Sequence, residues 1–553
     1  MSRTECSALT GRPEAQKLPS METDTIIIGN GPSAMILSFI LHGHLPYYSS
    51  NPPHPDPLLH AKLKAAPELL DADVDALTEH FAASRLSYST QALPVNVLLD
   101  TLVRPSVDVE ELGSTTNIEW RHAPEKAVPH LVFGNTPQPG GQWNDNLMPA
   151  SWEIQTLSYA SMLSLPGYSF AEHYRKVTGN DLPAFTRPSR QETADYFRAY
   201  PEAVQIDDAF RCRESLDGIS RTANGFYIRS HNIHCKHLVL ASGIFTHVIQ
   251  PRPMLEPLAS LEPTPQLPLL VIGSGFSAAD VIISAPKDQQ ILHIFKWDPE
   301  NRPSPLRGCH QQAYPEYAGV YRLMKRAAVA HSSGAAKRPA RTKRSVSSPF
   351  LENRAWDQVY DGHPNTEIIS VDAQKESATV TFRQADGATF TRVVRGMVYA
   401  TGRRGSLGYL DHALLSEVIG VDERGETSPI ISSQTLRGKA LENMEVAKDV
   451  FVIGSLTGDS LIRFSYGSCA QTAGKLIGTY TGEAKARNRT VPTTRPQDSS
   501  LSVMHGLDGH DIYPAAMNDI CLEKHDTHDT IPSIRKSGFL GSIWRSFIGI
   551  WKG

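Results

Sequence analysis

The residues in this chain best suited to chemistry are small ones. Gly29-Asn30-Gly31-Pro32-Ser33-Ala34 follows the apolar run Thr25-Ile26-Ile27-Ile28 and precedes a helix-like stretch from Met35 to Leu41. The spacing fits GxGxxG/A. In that pattern the first glycine permits a tight turn, the second lets a pyrophosphate approach the backbone, and a small third residue lets helix and strand pack closely. Gly29, Gly31 and Ala34 hold those places, with Pro32 and Ser33 at the mouth of the helix. Unpaired N–H groups and a partial positive charge at the helix start would face the phosphates. A second copy, Gly273-Ser274-Gly275-Phe276-Ser277-Ala278, follows Leu269-Leu270-Val271-Ile272 and leads into Ala279 to Ile283. Here Gly273, Gly275, Ser277 and Ala278 are the candidate binding residues. One such fingerprint is a weak signal; two, half a chain apart, point to two dinucleotides.

The two copies differ in the residues beyond them. A ribose-binding Asp or Glu is expected about 20 residues beyond the glycines, yet no acid occurs between Thr25 and Pro55. Ser49, Ser50, Asn51 or Asp56 is left to accept that hydroxyl. After the second copy, the strand-like run Ile291 to Phe295 ends at Lys296, with Arg302 a little further on. Cations there would pair with a 2′-phosphate and favour NADP over NAD; the alternative is a solvated strand end.

The elements that must position these turns are apolar runs that feed a glycine: Thr25–Ile28, Leu238–Ala241, Leu269–Ile272, Met397–Ala400 and Val450–Ile453. Continuous apolar runs suit parallel strands buried on both faces, and a run followed by a glycine turn and a helix begins a βαβ unit. The expected class is therefore α/β, with two Rossmann-like, three-layer dinucleotide-binding domains. A proline-rich stretch from Pro251 to Pro268 reads as a crossover between them. Residues 331–348 carry Ser, Ala, Lys and Arg without an apolar period and read as a mobile basic loop.

With 553 residues, the chain exceeds what one core serves. Its 54 basic and 58 acidic residues nearly balance, so nothing calls for nucleic acid. Six scattered cysteines form no CxxC pair, which argues against a zinc site, a disulfide framework or a dithiol relay. The first 20 residues lack an apolar core and read as a disordered tail, arguing for an intracellular, cytoplasmic protein. The run Ile26 to Leu41 is interrupted by Gly29, Gly31 and Pro32 and falls short of the roughly 20 residues of a membrane span. Residues 486–553 read as a linker followed by an amphipathic helix. That helix has apolar residues at 539, 540, 543, 544, 547, 548 and 551. Its two fates are docking on protein or peripheral contact of residues 539–552 with a membrane.

The paired fingerprints, the Gly140-Gly141-Gln142-Trp143 turn between them and the Ala400-Thr401-Gly402 turn after them resemble the class B flavin monooxygenase superfamily. Further stretches are similar to the oxidative-stress-induced growth inhibitor family: His54-Pro55-Asp56-Pro57-Leu58-Leu59, Leu165-Pro166-Gly167-Tyr168, Tyr314-Pro315-Glu316-Tyr317, Gly458-Asp459 and Arg463-Phe464. The resemblance implies a discontinuous FAD domain, residues 21–262 and 391–485, with an NADPH domain inserted at 263–390. It implies that Gly141, Gln142 and Trp143 line the flavin and that Asp459 lies near the ribitol. It further implies hydride transfer from NADPH to FAD, capture of O2 as a C4a-(hydro)peroxyflavin, and insertion of one oxygen atom into a small organic substrate. No residue identifies the acceptor or a catalytic acid or base. Two other readings stay open: a reductase or dehydrogenase without oxygen insertion, and a regulatory protein on a flavoprotein scaffold that has lost turnover.

Overall fold

The computed structural model describes residues 20–84, 86, 88–105, 116–145, 148–261, 266–332, 349–421 and 427–490. The N-terminal tail, most of the basic loop and the C-terminal amphipathic segment lie outside these residues.

The chain starts with strand β1 (Met21–Ile28), turns through Gly29 to Gly31 and enters helix α1 (Pro32–Leu41). Every residue of α1 from Ala34 to Leu41 is buried, which is the composition of a helix enclosed on all sides rather than lying on a surface. Ile36, Leu37, Ile40 and Leu41 are wholly inaccessible, each contributing on the order of 1.5–3 kcal/mol of hydrophobic burial. An excursion follows, in which β2 (His44–Tyr48) pairs antiparallel with β3 (Ile118–His122) apart from the main sheet. The chain returns as β4 (His130–Gly134), then β5 (Phe210–Cys212) and β6 (Ile233–Leu240).

A second glycine strand, β7 (Leu269–Ile272), runs into helix α2 (Phe276–Ser284), followed by β8 (Ile291–Phe295), β9 (Tyr360–Pro364) and β10 (Met397–Tyr399). Late in the chain, β11 (Val450–Val452) leads to the long helix α3 (Tyr466–Thr490), which packs on α1.

Two parallel sheets result. In the first, the order is β11-β6-β1-β4-β5, extended at one edge by an antiparallel strand at Glu445–Ala447. The second has the order β9-β8-β7-β10. Each glycine strand sits centrally between two parallel neighbours: Ile28 pairs with Phe133 and Leu240, and Ile272 pairs with Ile294 and Tyr399. The second unit is thus inserted into a first unit built from both ends of the chain. All five apolar runs marked in the sequence are parallel strands. β4 was not among them.

Candidate functional site

The two glycine turns have the same construction. Gly29 has φ +118° and its amide donates to the carbonyl of Phe133 at the end of β4, at 2.7 Å. A Cβ on Gly29 would fall inside the carbonyl of Ala241, the residue after β6. Gly273 repeats this with φ +149°, an amide bond to Ile294 at 3.0 Å, and the carbonyl of Ala400, after β10, where its Cβ would be. Only glycine meets both demands, the backbone angle and the close approach. Each alanine is followed by a hydroxyl residue and a glycine, Ser242-Gly243 and Thr401-Gly402.

The second glycines have the opposite surroundings. Gly31 and Gly275 are the N-caps of α1 and α2, and neither makes a side-chain cap bond. A Cβ on Gly31 would meet nothing within 4 Å, and one on Gly275 only Pro305, at 3.8 Å. Open space in front of an uncapped helix start is what an anion requires, since the first N–H groups have no intrahelical partner. Pro32 occupies the first helical turn, where its missing N–H costs nothing. Ala34 and Ala278 are buried, as close packing of helix on strand demands. Ser33 donates to the Ser465 hydroxyl at 3.1 Å, tying α1 to the last part of the chain.

A cavity of about 430 Å³ opens before the first turn and is lined by Gly29 to Ser33, Gly141, Gln142, Gly454 and Ser455. Its size falls within the range of small-molecule and cofactor sites. Gly141, with φ +57°, lies on Gly31, so that a Cβ there would come to 3.0 Å from the Gly31 Cα. Further along the wall, Ser242 and Tyr409 share a hydrogen bond of 3.0 Å, and the Ile244 amide donates to the Ser455 hydroxyl at 3.2 Å.

Beside the second turn, the loop after β8 folds over Ser274, whose carbonyl accepts from the Ser304 hydroxyl at 2.6 Å. Lys296 and Arg302 are both exposed on this loop. Beneath the turn lies His293, wholly buried in β8, its Nε2 2.7 Å from the Gly273 carbonyl and its Nδ1 2.8 Å from the Tyr360 hydroxyl. Burial pushes its pKa down to about 4, so a neutral imidazole braces the turn.

Several expected residues sit elsewhere. The ribose acceptors proposed near β2 are not among the residues that line the cavity, and β2 is not the strand beside β1. Ser49 bonds the Asn51 carbonyl, and Asp56 is buried, caps a helix through the Leu58 and Leu59 amides, and accepts from His80 and Tyr88. Trp143 is not among the residues lining the cavity and packs on the first core with its ring centroid 5.8 Å from that of Phe197, while Gly141 and Gln142 reach the cavity wall. Asp459 is buried in a closed set of bonds. It accepts from the Leu93 amide and the Asn96 side chain at 2.8 Å each and pairs with Arg437 at 2.9 Å. It thereby anchors the helix Pro94–Val103, while Gly454 and Ser455, immediately after β11, face the cavity.

The seam between the units combines charged pairs with neutral hydrogen bonds and with Met148 and Leu157 packed on the second unit's core. Arg187 pairs with Glu316 of the second unit and donates to the Ala313 carbonyl, while the Tyr314 hydroxyl donates to Leu157 at 2.9 Å. Arg190 donates to the carbonyls of Gln142 and Asp145, and its charge and that of Arg403 bear on Asp280 of α2, which accepts from Tyr317 at 2.8 Å. Burial lifts the Asp280 carboxyl to about 6, against the lowering effect of Tyr317 and the two arginines. Among the described residues, no group of three or more His, Cys, Asp or Glu could hold a metal, and no helix is long and apolar enough to cross a membrane.

Two strand–glycine–helix cradles, one in an inserted unit and one in the unit that surrounds it, define an α/β fold with two Rossmann-like units of the dinucleotide-binding type. The chain is homologous to the oxidative stress-induced growth inhibitors. It is 25% identical to "Oxidative stress-induced growth inhibitor 1" of Mus musculus over 516 residues, which cover 84% of this chain and 96% of the relative. It is 26% identical to "Oxidative stress-induced growth inhibitor 2" of Homo sapiens over 365 residues, 55% of this chain and 69% of the relative. No family model matches. Similar solved structures include a flavin-containing monooxygenase from Stenotrophomonas maltophilia, at 14% identity and TM-score 0.44 over 83% of this chain and 99% of that one. A bacillithiol disulfide reductase from Staphylococcus aureus shares 12% identity at TM-score 0.45, over 84% of this chain and 99% of that one.

Proposed function

We propose that the protein is a flavoprotein oxidoreductase that binds FAD in the first cradle and NADPH in the second and works as a monooxygenase on a small organic substrate, with O2 as oxidant. The observation that supports this reading is the pairing itself: two uncapped helix starts, each with open space at its second glycine, joined by a seam that sets one against the other. The cofactors supply hydride transfer and oxygen activation; the chain must bind, orient and shield them.

The first helix start and Gly31 would receive the FAD pyrophosphate, while Gly141 and Gln142 close over it and Ser455 offers a hydroxyl from the late strand. The second helix start and Gly275 would receive the NADPH pyrophosphate, with Lys296 and Arg302 exposed beside it to take the 2′-phosphate. Arg190 fixes the Gln142 and Asp145 carbonyls and so holds the flavin-side turn towards α2.

The test uses purified full-length protein. It should carry a yellow chromophore that NADPH bleaches and air restores, and with ¹⁸O2 one labelled atom should enter a product found by mass spectrometry of a metabolite extract. A chromophore that NADPH leaves unreduced would overturn the redox reading, and NADPH consumption yielding only H2O2 would reduce it to that of an oxidase-like reductase.

A further inference from the structure

The strand beside β1 has no acid at its end. In a dinucleotide cradle that position normally supplies a carboxylate for the adenosine ribose hydroxyls, and here β4 ends on Gly134. No side chain could be restored there, because a Cβ on Gly134 would fall within the carboxamide of Asn30. Asn30 is itself committed: its Nδ2 donates to the Gln138 carbonyl at 3.2 Å, and its Oδ1 accepts from the Thr136 hydroxyl at 3.0 Å. The usual place of the acid is thus filled by a neutral, buried amide.

Asp145 lines the same cavity beside Gly141 and Gln142, and two further carboxylates, Glu214 and Asp217, line it just after the neighbouring strand β5. Of the two, Glu214 is directly coupled to the vacated position, since its amide donates to the Gly134 carbonyl at 3.1 Å. Its side chain is held by His231, whose Nε2 is 3.1 Å from one carboxylate oxygen. A carboxylate has about four lone-pair sites, so the one contact with His231 leaves it able to accept hydrogen bonds from hydroxyls. Asp217 instead turns to Arg229, and both of those side chains are well exposed.

Resting on the reading of this cavity as the FAD site, we propose that Glu214, one strand over, takes the place of the missing strand-end acid and binds the adenosine ribose hydroxyls of FAD. His231 then orients the carboxylate without itself touching the ligand.

The experiment titrates flavin-stripped full-length protein with FAD and with an FAD analogue carrying 2′,3′-dideoxyadenosine, following flavin fluorescence. Wild type should bind FAD about 10- to 100-fold more tightly than the analogue, the range for hydrogen bonds to a charged group. Glu214→Ala should lose that factor for FAD, lose nothing for the analogue, and so bind both alike. Glu214→Gln, which keeps a neutral acceptor, should fall between, and serves alone if the alanine variant does not fold. His231→Ala should keep most of the discrimination. Equal losses on both ligands in Glu214→Ala and His231→Ala would assign the pair a merely structural role and overturn the proposal, as would a wild type blind to the ribose hydroxyls. Wild type that binds neither ligand would overturn the FAD reading of the cavity and this proposal with it.

Discussion

The two cradles solve one geometric problem identically and one chemical problem differently. Both place a positive-φ glycine against the carbonyl of an alanine at the end of the next strand, and both leave the second glycine facing empty space at an uncapped helix. The backbone logic is common because a pyrophosphate asks the same of any chain. The residues beyond the turn diverge: the first cradle has Asn30 and Gly134 where a ribose acid belongs, and the second has Lys296 and Arg302. Where a phosphate goes is set by backbone; which nucleotide goes there is set by the side chains one strand away.

The largest effect should come from breaking the backbone half of this comparison. Gly29→Val forces a β-branched residue to φ +118° and into the Ala241 carbonyl, and strain plus overpacking should cost several kcal/mol, of the order of 1–3 for each. The expected outcome is insoluble or flavin-free protein. Gly273→Val imposes the same insult on the inserted unit, so it should abolish nicotinamide binding while flavin absorbance survives gel filtration. If flavin is lost equally in both variants, the units do not fold as separately as their sheets suggest.

The next effect concerns side chains. Lys296→Ala with Arg302→Ala should weaken NADP⁺ binding about 10- to 100-fold and leave NAD⁺ unchanged, as read by calorimetry. An equal loss for both nucleotides would remove the 2′-phosphate from the assignment and leave the cations as a solvated strand end.

How far the sequence disclosed all this obeys the same division. The glycine turns and the apolar strands were legible because backbone geometry restricts residue type severely at Gly29 and Gly273, and burial on both faces leaves uninterrupted runs such as Ile26-Ile27-Ile28. The strand beside β1 was missed because the fixed offset to a ribose acid presumes a short crossover, whereas here β2, β3 and several helices intervene before β4. One signal was available: Leu131-Val132-Phe133 ends on a glycine shortly before Gly140-Gly141-Gln142-Trp143. Asp459 was expected near the ribitol from the family resemblance alone. Gly454 and Ser455 reach the cavity, and Asp459 bonds elsewhere. The seam could not be read at all, since the segment holding Arg187 and Arg190 is far in sequence from Asp280, Glu316 and Arg403, and these become neighbours only through packing.

A smaller effect separates the undersides of the two turns. His293 braces Gly273 from below, and the position of β4 that corresponds to it, paired with Ile27 as His293 is with Val271, is Val132. His293→Leu should leave the Gly273 carbonyl and the Tyr360 hydroxyl short of a partner, at about 1–3 kcal/mol, seen as a lowered Tm of the inserted unit. The pH dependence has a definite sign. Since the folded pKa is depressed to about 4 from 6.5, the neutral imidazole's contribution is fully present above pH 6.5 and declines as pH falls towards 4. The leucine variant should lack that decline.

The seam gives the finest discrimination, because there groups from the two units act on one another. Asp280 belongs to the helix that would receive NADPH, yet the cations that bear on it, Arg190 and Arg403, come from segments of the first unit, with Tyr317 and Glu316 as its other near titratable groups. Its folded pKa stands near 6 against an ordinary 3.8. A raised acid favours the fold most when protonated, so its contribution is complete below pH 3.8 and is lost as pH rises through 6. Asp280→Asn mimics the protonated form and should flatten the Tm profile between about pH 4 and 6, with the variant gaining on wild type towards and above the upper end. Should the variant instead lose stability at pH 7, attraction to the two arginines outweighs desolvation, and the seam is an ion-paired lock rather than a strained contact. That outcome would make the orientation of the second cradle depend on charges supplied by the first.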